Sequence, residues 1–240
     1  MKKNINIIIR CAAYTAIDKA ENDTEMVAVI NHKAAYLAQI AKGKDIKLIH
    51  VSTDYVFDGI NHKPYIETDR INLLEVYGKS KLDSKHALLE VELYGSIIMR
   101  TSWIFSRYRT NFVKTMLRLG SARKSLEVIY DQIGAPTYAM DLAKIILDIS
   151  TKLKNENVEI FHYTNEGVLR WFYFAKETMK MAMLTCKINP IETSHYQILA
   201  RRHRLLPLSK SKIRNYYDIK IPYWKNSLKE CQRKLGVANW

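Results

Sequence analysis

The chain has 240 residues, of which 48% are hydrophobic and 26% are charged. That apolar content is enough to bury the core of one large domain or two small ones, which excludes an intrinsically disordered chain. No apolar run approaches the roughly 20 residues of a membrane-spanning helix, and the stretch from Lys3 to Arg10 is too short for a secretory signal core. The composition therefore predicts a cytoplasmic globular protein with no membrane partner.

The cysteines and the net charge further limit the classes of protein to which the chain can belong. Cys11, Cys186 and Cys231 are far apart and odd in number, which argues against a disulfide framework and against a zinc site. The formal net charge of +14 would attract polyanions or phosphorylated ligands. Because the basic residues are spread along the chain and the densest run is confined to 200–214, a solvated surface with an anion site is favoured over a nucleic-acid groove.

Hydrophobic patterning up to Phe105 predicts strands and helices in alternation. Apolar residues at spacings of three and four define the first helix, and Gly43 follows its end. The segment 58–74 is polar and contains Pro64, which predicts a loop. The predicted strands and helices are strand 4–13, helix 27–41, strand 47–51, helix 77–91 and strand 96–100. Such an order with short connections implies parallel βαβ units.

The pattern changes after Phe105 and becomes a mixture of short strands and helices. The predicted elements are helix 111–119, strand 126–130, turn 131–137, helix 140–153, strand 159–163, helix 168–182 and a basic tail that ends in helix 223–235.

A tyrosine and a lysine four residues apart, Tyr77 and Lys81, carry the most specific chemistry in the chain. A tyrosine is a poor acid at neutral pH, and an ammonium group one helical turn away stabilises its phenolate. Thr53, at the end of the preceding strand, could polarise the same substrate carbonyl. The three residues together predict reduction of a ketone by hydride from a nicotinamide, with Tyr77 delivering the proton.

The spacing alone is weak evidence, since a chain rich in tyrosine and lysine matches it by chance and Tyr216 with Lys220 is a second match. The alternative is an exposed tyrosine on a charged helix. The position of Tyr77, at the start of a helix after a strand that ends in Ser-Thr-Asp, favours the catalytic interpretation.

The glycines do not supply a phosphate-binding loop. The eight glycines never come within three residues of one another, so no G-x-G-x-x-G fingerprint can be built from them. Such a loop allows the backbone to approach the pyrophosphate of a dinucleotide closely.

Six blocks of sequence, in order, carry a family resemblance. They are RCAAYTAIDKAE (10–21), VSTDYVFDG (51–59), VYGKSKL (76–82), RTSWIF (100–105), NFVKTM (111–116) and DQIGAPT (131–137). Together they resemble the dTDP-4-dehydrorhamnose reductase family of extended short-chain dehydrogenases. The resemblance implies reduction of the C4 ketone of dTDP-4-dehydro-L-rhamnose by NADPH or NADH to give dTDP-L-rhamnose, in dTDP-rhamnose biosynthesis.

The same resemblance assigns roles to individual residues. The catalytic residues it implies are Thr53, Tyr77 and Lys81. The cofactor-binding residues it implies are Ala12, Ala13, Thr15, Tyr77 and Lys81. The substrate-binding residues it implies are Thr53, Asp54 and Trp103. Each has a simpler alternative: Trp103 as core, Asp54 as a cap or turn residue, and the alanines as close packing.

The fold that the resemblance implies is a Rossmann-like, doubly wound parallel sheet that lacks its first βαβ units and its glycine-rich loop. The implied dinucleotide-binding core spans 1–105 and about 134–165, and a small α+β substrate-binding domain spans about 106–133 and 166–240. Arg10 and the segment 203–208 depart from the family pattern.

An incomplete parallel sheet has an open edge, so we expect the chain either to be marginally stable or to associate, as a homodimer or with a complementing chain. The alternative function is a catalytically silent binding or regulatory subunit.

Overall fold

The computed structural model describes residues 5–12, 36–71, 91, 93–195 and 205–237. The described elements, in chain order, are β1 (Ile7–Arg10), β2 (Lys47–Thr53), β3 (Ile97–Thr101), β4 (Ile104–Phe105), α1 (Phe112–Ala122), β5 (Ser125–Ile129), β6 (Ile133–Gly134), β7 (Thr137–Tyr138), α2 (Ala139–Ser150), β8 (Glu159–His162), β9 (Leu169–Arg170), α3 (Trp171–Met181), β10 (Lys187–Ile191), a 3₁₀ turn (Thr193–His195), α4 (Ser211–Tyr217) and α5 (Trp224–Leu235). Residues 36–42 are also helical.

A parallel sheet with the strand order β1, β2, β3, β8 forms the centre of the fold. Its strands consist mainly of β-branched and other apolar residues, which fit a pleated surface buried on both faces. The register sets Thr53 of β2 opposite Thr101 of β3. Because parallel strands point the same way, the residues that follow these two positions lie along one edge of the sheet.

Helices cover both faces of this sheet. On one face, Ile49, Met99 and Phe161 pack against α2 and α4. On the other face, Leu48 and Ile98 pack against the helical residues 36–42. This covering on both sides is expected for parallel strands, whose side chains are apolar in both directions.

A second layer follows the sheet in the chain. Strands β5 and β10 pair in parallel, and Leu126, Val128 and Ile188 pack with residues of α1 and α3. Two short ribbons, parallel β4 with β7 and antiparallel β6 with β9, complete the described strands. Ser102 Oγ donates a hydrogen bond of 2.7 Å to the carbonyl of Ala135.

The parallel α/β architecture predicted from sequence is confirmed, and the predicted strands and helices, apart from the helix 77–91, each overlap an observed element of the same type. Residues 77–90 of the predicted helix 77–91 and the first part of the predicted helix 27–41 lie outside the described residues, and residue 91 is in a turn.

The interpretation of the region after residue 182 as a basic tail up to the last helix was wrong. Strand β10 lies there, and its lysine and Pro190 obscure the apolar alternation. Proline is tolerated because β10 pairs on one side only, with β5, among the described strands. Helix α4 lies there too, and its seven residues give too little periodicity to recognise, although Ile213 and Tyr217 are buried.

Two predicted boundaries also differ. Helix α3 begins at Trp171, not at residue 168, because Leu169 and Arg170 pair with β6. The predicted turn 131–137 carries strand β6 and the start of β7. Both differences arise because these residues form backbone hydrogen bonds with strands that are distant in sequence.

None of the described helices is long and apolar enough to cross a membrane. Within the same part of the chain, no three His, Cys, Asp or Glu side chains come together as a metal site requires.

Candidate functional site

The carboxyl end of β2 carries a hydroxyl followed by a carboxylate. Thr53 Oγ1 donates a hydrogen bond of 3.1 Å to Asp54 Oδ1 and accepts one of 3.3 Å from the backbone N–H of Tyr55. The N–H of Asp54 donates to the carbonyl of Thr101 on the adjacent strand. The Thr53 side chain is thus oriented by its two chain neighbours, and the turn that follows it is tied to β3.

Asp54 is buried, with 2% of its surface exposed. Burial raises the pKa of its carboxyl to about 7, and hydrogen bonds from Thr53 and from backbone N–H groups oppose this shift. Its Oδ2 atom is buried with no hydrogen-bond partner among the described residues. A buried carboxyl that titrates near neutrality is typical of functional sites.

Trp103 follows β3 at the same edge of the sheet and has an unusual backbone. Its φ is +46°, in the left-handed region that bulky residues rarely occupy. Such a conformation costs on the order of 1–3 kcal/mol and persists only where the surroundings hold it, often at functional sites. The indole is half-buried and stacks on Trp171, with ring centroids 3.6 Å apart.

A buried arginine supports the loop that follows Thr53. Arg100 of β3 is 1% exposed, and its guanidinium lies 5.0 Å from the centroid of the Phe57 ring. Its Nη1 donates to Nε2 of His162, 3.2 Å away on the neighbouring strand β8. Glu67 accepts a hydrogen bond of 3.0 Å from the N–H of His162. These contacts fix the loop against the carboxyl edge of the sheet.

The same contacts determine the state of His162. Burial is the main cause that lowers the pKa of His162 to about 3, and the charge of Arg100 adds to it, so the ring is neutral at physiological pH. An arginine can only donate, so Nε2 is the acceptor and Nδ1 carries the hydrogen. Nδ1 then donates to the carbonyl of Tyr65 at 3.1 Å.

Sequence reasoning missed Arg100 and His162 as supporting residues. The available signal was a charged residue and a histidine at the ends of otherwise apolar strands, but their contact across 62 positions of sequence is not readable from either strand alone.

Ala12 lies two residues after the end of β1. Ala12 is exposed there, and its side chain of a single carbon leaves room at the strand end. The preceding Arg10 is buried and donates to His50 Nδ1 at 3.1 Å. Ala12 thus lies just past the carboxyl end of β1, the strand that pairs in parallel with β2, which ends at Thr53.

The structure therefore places four of the residues singled out from the sequence, and all four lie at the carboxyl edge of the sheet: Ala12, Thr53, Asp54 and Trp103. The other four lie outside the described residues: Ala13, Thr15, Tyr77 and Lys81.

Fold and site together define a Rossmann-like α/β protein whose polar groups cluster where parallel sheets bind nucleotides. A family model described as the RmlD substrate binding domain matches residues 1–237. The dTDP-4-dehydrorhamnose reductase of Aggregatibacter actinomycetemcomitans is 41% identical over 237 residues, which cover 95% of this chain and 80% of that protein. The chain belongs to the dTDP-4-dehydrorhamnose reductase family.

Further relatives agree with this assignment. The dTDP-4-dehydrorhamnose reductase of Escherichia coli (strain K12) is 35% identical over 239 residues, covering 96% of this chain and 80% of that protein. A crystal structure of a dTDP-4-dehydrorhamnose reductase from Clostridium acetobutylicum ATCC 824 is similar with a TM-score of 0.90 and 34% identity, covering 96% of this chain and 81% of that one. The crystal structure of the dTDP-4-dehydrorhamnose reductase from Bacillus anthracis str. Ames in complex with NADP is similar with a TM-score of 0.87 and 33% identity. The match covers 95% of this chain and 80% of that one.

Proposed function

We propose that this chain is a nicotinamide-dependent ketoreductase of dTDP-rhamnose biosynthesis, which reduces the C4 ketone of dTDP-4-dehydro-L-rhamnose to give dTDP-L-rhamnose. The observation that carries the proposal is the Thr53–Asp54 pair at the carboxyl end of β2, in a chain whose relatives bear the name of this reaction. The division into a dinucleotide-binding core (1–105 and about 134–165) and a substrate domain (about 106–133 and 166–240) is part of the proposal.

The proposed roles follow the chemistry of a ketone that gains a hydride and a proton. The bound nicotinamide supplies the hydride to C4. The Thr53 hydroxyl hydrogen-bonds the ketone oxygen, and Tyr77 donates its phenolic proton to that oxygen as negative charge develops. Lys81 stabilises the phenolate that remains. Asp54 and Trp103 contact the sugar nucleotide, and Ala12, Ala13 and Thr15 contact the cofactor.

The Thr53 hydroxyl must be free to donate to the ketone. In the structure its hydrogen points to Asp54 Oδ1. A carboxylate is a stronger acceptor than a carboxylic acid, so protonation of Asp54 weakens this competing bond. The pKa of Asp54, raised to about 7 by burial, makes the protonated form accessible near neutral pH. This supports a role for Asp54 in setting the direction of the Thr53 hydroxyl.

The decisive first experiment is a fluorescence titration of the purified chain with NADPH and, separately, with NADH. Binding in the micromolar range, followed by turnover of dTDP-4-dehydro-L-rhamnose, is the expected result, and the ratio of the two affinities identifies the preferred reductant. Tyr77→Phe should abolish turnover and leave cofactor binding intact. Unchanged turnover in this variant would exclude Tyr77 as the proton donor.

A second candidate function is favoured by one observation, the absence of a G-x-G-x-x-G fingerprint. In that case the chain is a catalytically silent binding or regulatory subunit. Absence of cofactor binding up to millimolar concentration, together with retained binding of dTDP, would favour this candidate over the reductase.

A further inference from the structure

Two tryptophans from distant parts of the chain form a tight stack beside the candidate site. The Trp103 ring follows β3, and the Trp171 ring belongs to the first residue of α3. Their centroids are 3.6 Å apart and their planes differ by 14°. Offset or parallel aromatic contacts of this kind restrict the orientation of both rings.

Gly134 restricts the Trp103 ring from a second direction. A β-carbon placed on Gly134 would lie 2.7 Å from Cε2 and Cζ2 of Trp103, closer than real side chains approach. Only glycine therefore leaves room for the indole at this position. The carbonyl of Trp103 accepts a hydrogen bond of 3.2 Å from the N–H of Thr137, which holds its backbone.

Trp171 is itself held by the core of the second layer. The Phe112 ring of α1 lies 4.4 Å from it at 45°. Trp171 and Phe112 pack partly buried against the cluster that includes Phe105 and Phe174. The orientation of the Trp103 indole is therefore set by the second layer, although Trp103 itself follows a strand of the central sheet.

From this geometry we propose that Trp171 and Gly134 are positioning residues that hold the Trp103 indole in place against the sugar nucleotide. The inference rests on the proposed function, which gives Trp103 its contact with the substrate. An aromatic side chain that is already fixed loses little conformational freedom on binding, so its contact area contributes more fully to affinity. Removal of Trp171 leaves the strained Trp103 free to rotate away from the bound nucleotide.

The test measures the affinity for dTDP by isothermal titration calorimetry, so that the result does not depend on turnover. Trp103→Ala and Trp171→Ala should each weaken dTDP binding about tenfold. If Trp171 acts through Trp103, the double variant binds dTDP no more weakly than either single variant. Trp171→Phe keeps a ring at this position and should recover part of the affinity, and Gly134→Ala should resemble Trp103→Ala.

Phe172→Ala is the matched control. Phe172 follows Trp171 in the same helix, and both residues are partly buried against the cluster around β5 and β10. The Phe172 ring contacts Tyr173, whereas the Trp171 ring stacks on Trp103. Its removal should leave dTDP affinity unchanged. Near-ultraviolet circular dichroism of Trp171→Phe reports loss of the stacked pair in a folded protein.

The outcomes separate the two proposals. Native dTDP affinity in both Trp171→Ala and Trp171→Phe, or additive losses in the double variant, would overturn the positioning role. In kinetics with the keto sugar, the positioning role predicts a raised KM for the sugar nucleotide in Trp171→Ala, with kcat and the KM for the reductant unchanged. The unmodified chain could bind dTDP, with losses of affinity in the variants as predicted, and yet not reduce the keto sugar. This result would support the positioning role and contradict the proposed reaction.

Discussion

At the scale of single residues, Asp54 links the candidate site to the stability of the fold. Its pKa is about 7 in the folded chain because of burial, against about 3.9 in an unfolded one. Between these two values the folded chain keeps a proton that the unfolded chain has lost. The free energy of unfolding contributed by this group therefore falls as the pH rises through that window.

We predict that Asp54→Asn, which cannot ionise, becomes more stable relative to the unmodified chain as the pH rises from about 5 to about 8. Urea unfolding of both proteins at the two pH values measures the difference. Asp148→Asn removes an exposed carboxylate of α2 and serves as the control. A stability difference for Asp54→Asn that is the same at both pH values would refute the burial-driven shift.

Arg109 offers a second test at this scale. It is exposed and has a φ of +54°, in the left-handed region where a β-carbon is unfavourable. Arg109→Gly should raise the free energy of unfolding by about 1 kcal/mol, because glycine adopts this conformation without strain. Arg109→Ala retains the β-carbon and should give no such gain. Equal effects of the two substitutions in urea unfolding would show that loss of the positive charge, and not relief of backbone strain, changes the free energy of unfolding.

At the scale of elements, one buried amide joins three parts of the chain. Asn165 follows β8, and its Nδ2 donates to Asp141 Oδ2 of α2 at 2.8 Å and to Ser227 Oγ of α5 at 2.9 Å. Its Oδ1 accepts from the N–H of Tyr138 at 2.6 Å. All of these polar groups are inaccessible or nearly so. The network therefore holds α5 and the start of α2 against the end of β8.

Asn165→Ala should lower the free energy of unfolding by about 3 kcal/mol, because it leaves the Asp141 carboxylate and the Tyr138 N–H buried with fewer partners. Chemical denaturation followed by circular dichroism measures the loss. Asn226→Ala, an exposed asparagine of α5, is the matched control and should change stability by less than about 0.5 kcal/mol. A loss no larger than that of the control would mean that water replaces the amide at no cost.

At the scale of the whole molecule, the outermost described strand of the central sheet, β1, is the proposed site of association. Strand β1 pairs only with β2 among the described residues, and 39% of the surface of Ile9 is exposed. An unpaired edge with apolar side chains is a template for pairing with another chain. A homodimer and a complex with a complementing chain both remain proposals that this edge supports.

We expect sedimentation velocity of the purified chain to show association that increases with concentration. Ile9→Lys should weaken it, because a charged side chain on an edge strand opposes strand pairing. The same substitution at Ile60, which is 75% exposed in the loop after β2, is the control. A chain that stays monomeric across the concentration series, or equal effects of the two substitutions, would exclude β1 as the contact.

Part of the candidate site could be predicted from sequence because it depends on neighbours in the chain. Thr53 and Asp54 are adjacent in sequence and lie at the end of a mainly apolar strand. Their position at the carboxyl ends of the parallel strands therefore follows from the strand assignment alone. The contact between Trp103 and Trp171 could not be predicted, since the two rings meet only after two layers have packed together. The same holds for Arg100 with His162, which pair through the register of adjacent strands.

By itself, the sequence determined the parallel α/β class, the four strands of the central sheet, most of the helices and the place of Thr53 and Asp54, because hydrophobic periodicity and chain adjacency are local properties. Only the tertiary structure decided the raised pKa of Asp54, the strained backbone of Trp103 and the neutral state of His162. Each of these depends on how much water and which groups surround a side chain, and that is fixed by contacts between residues far apart in sequence.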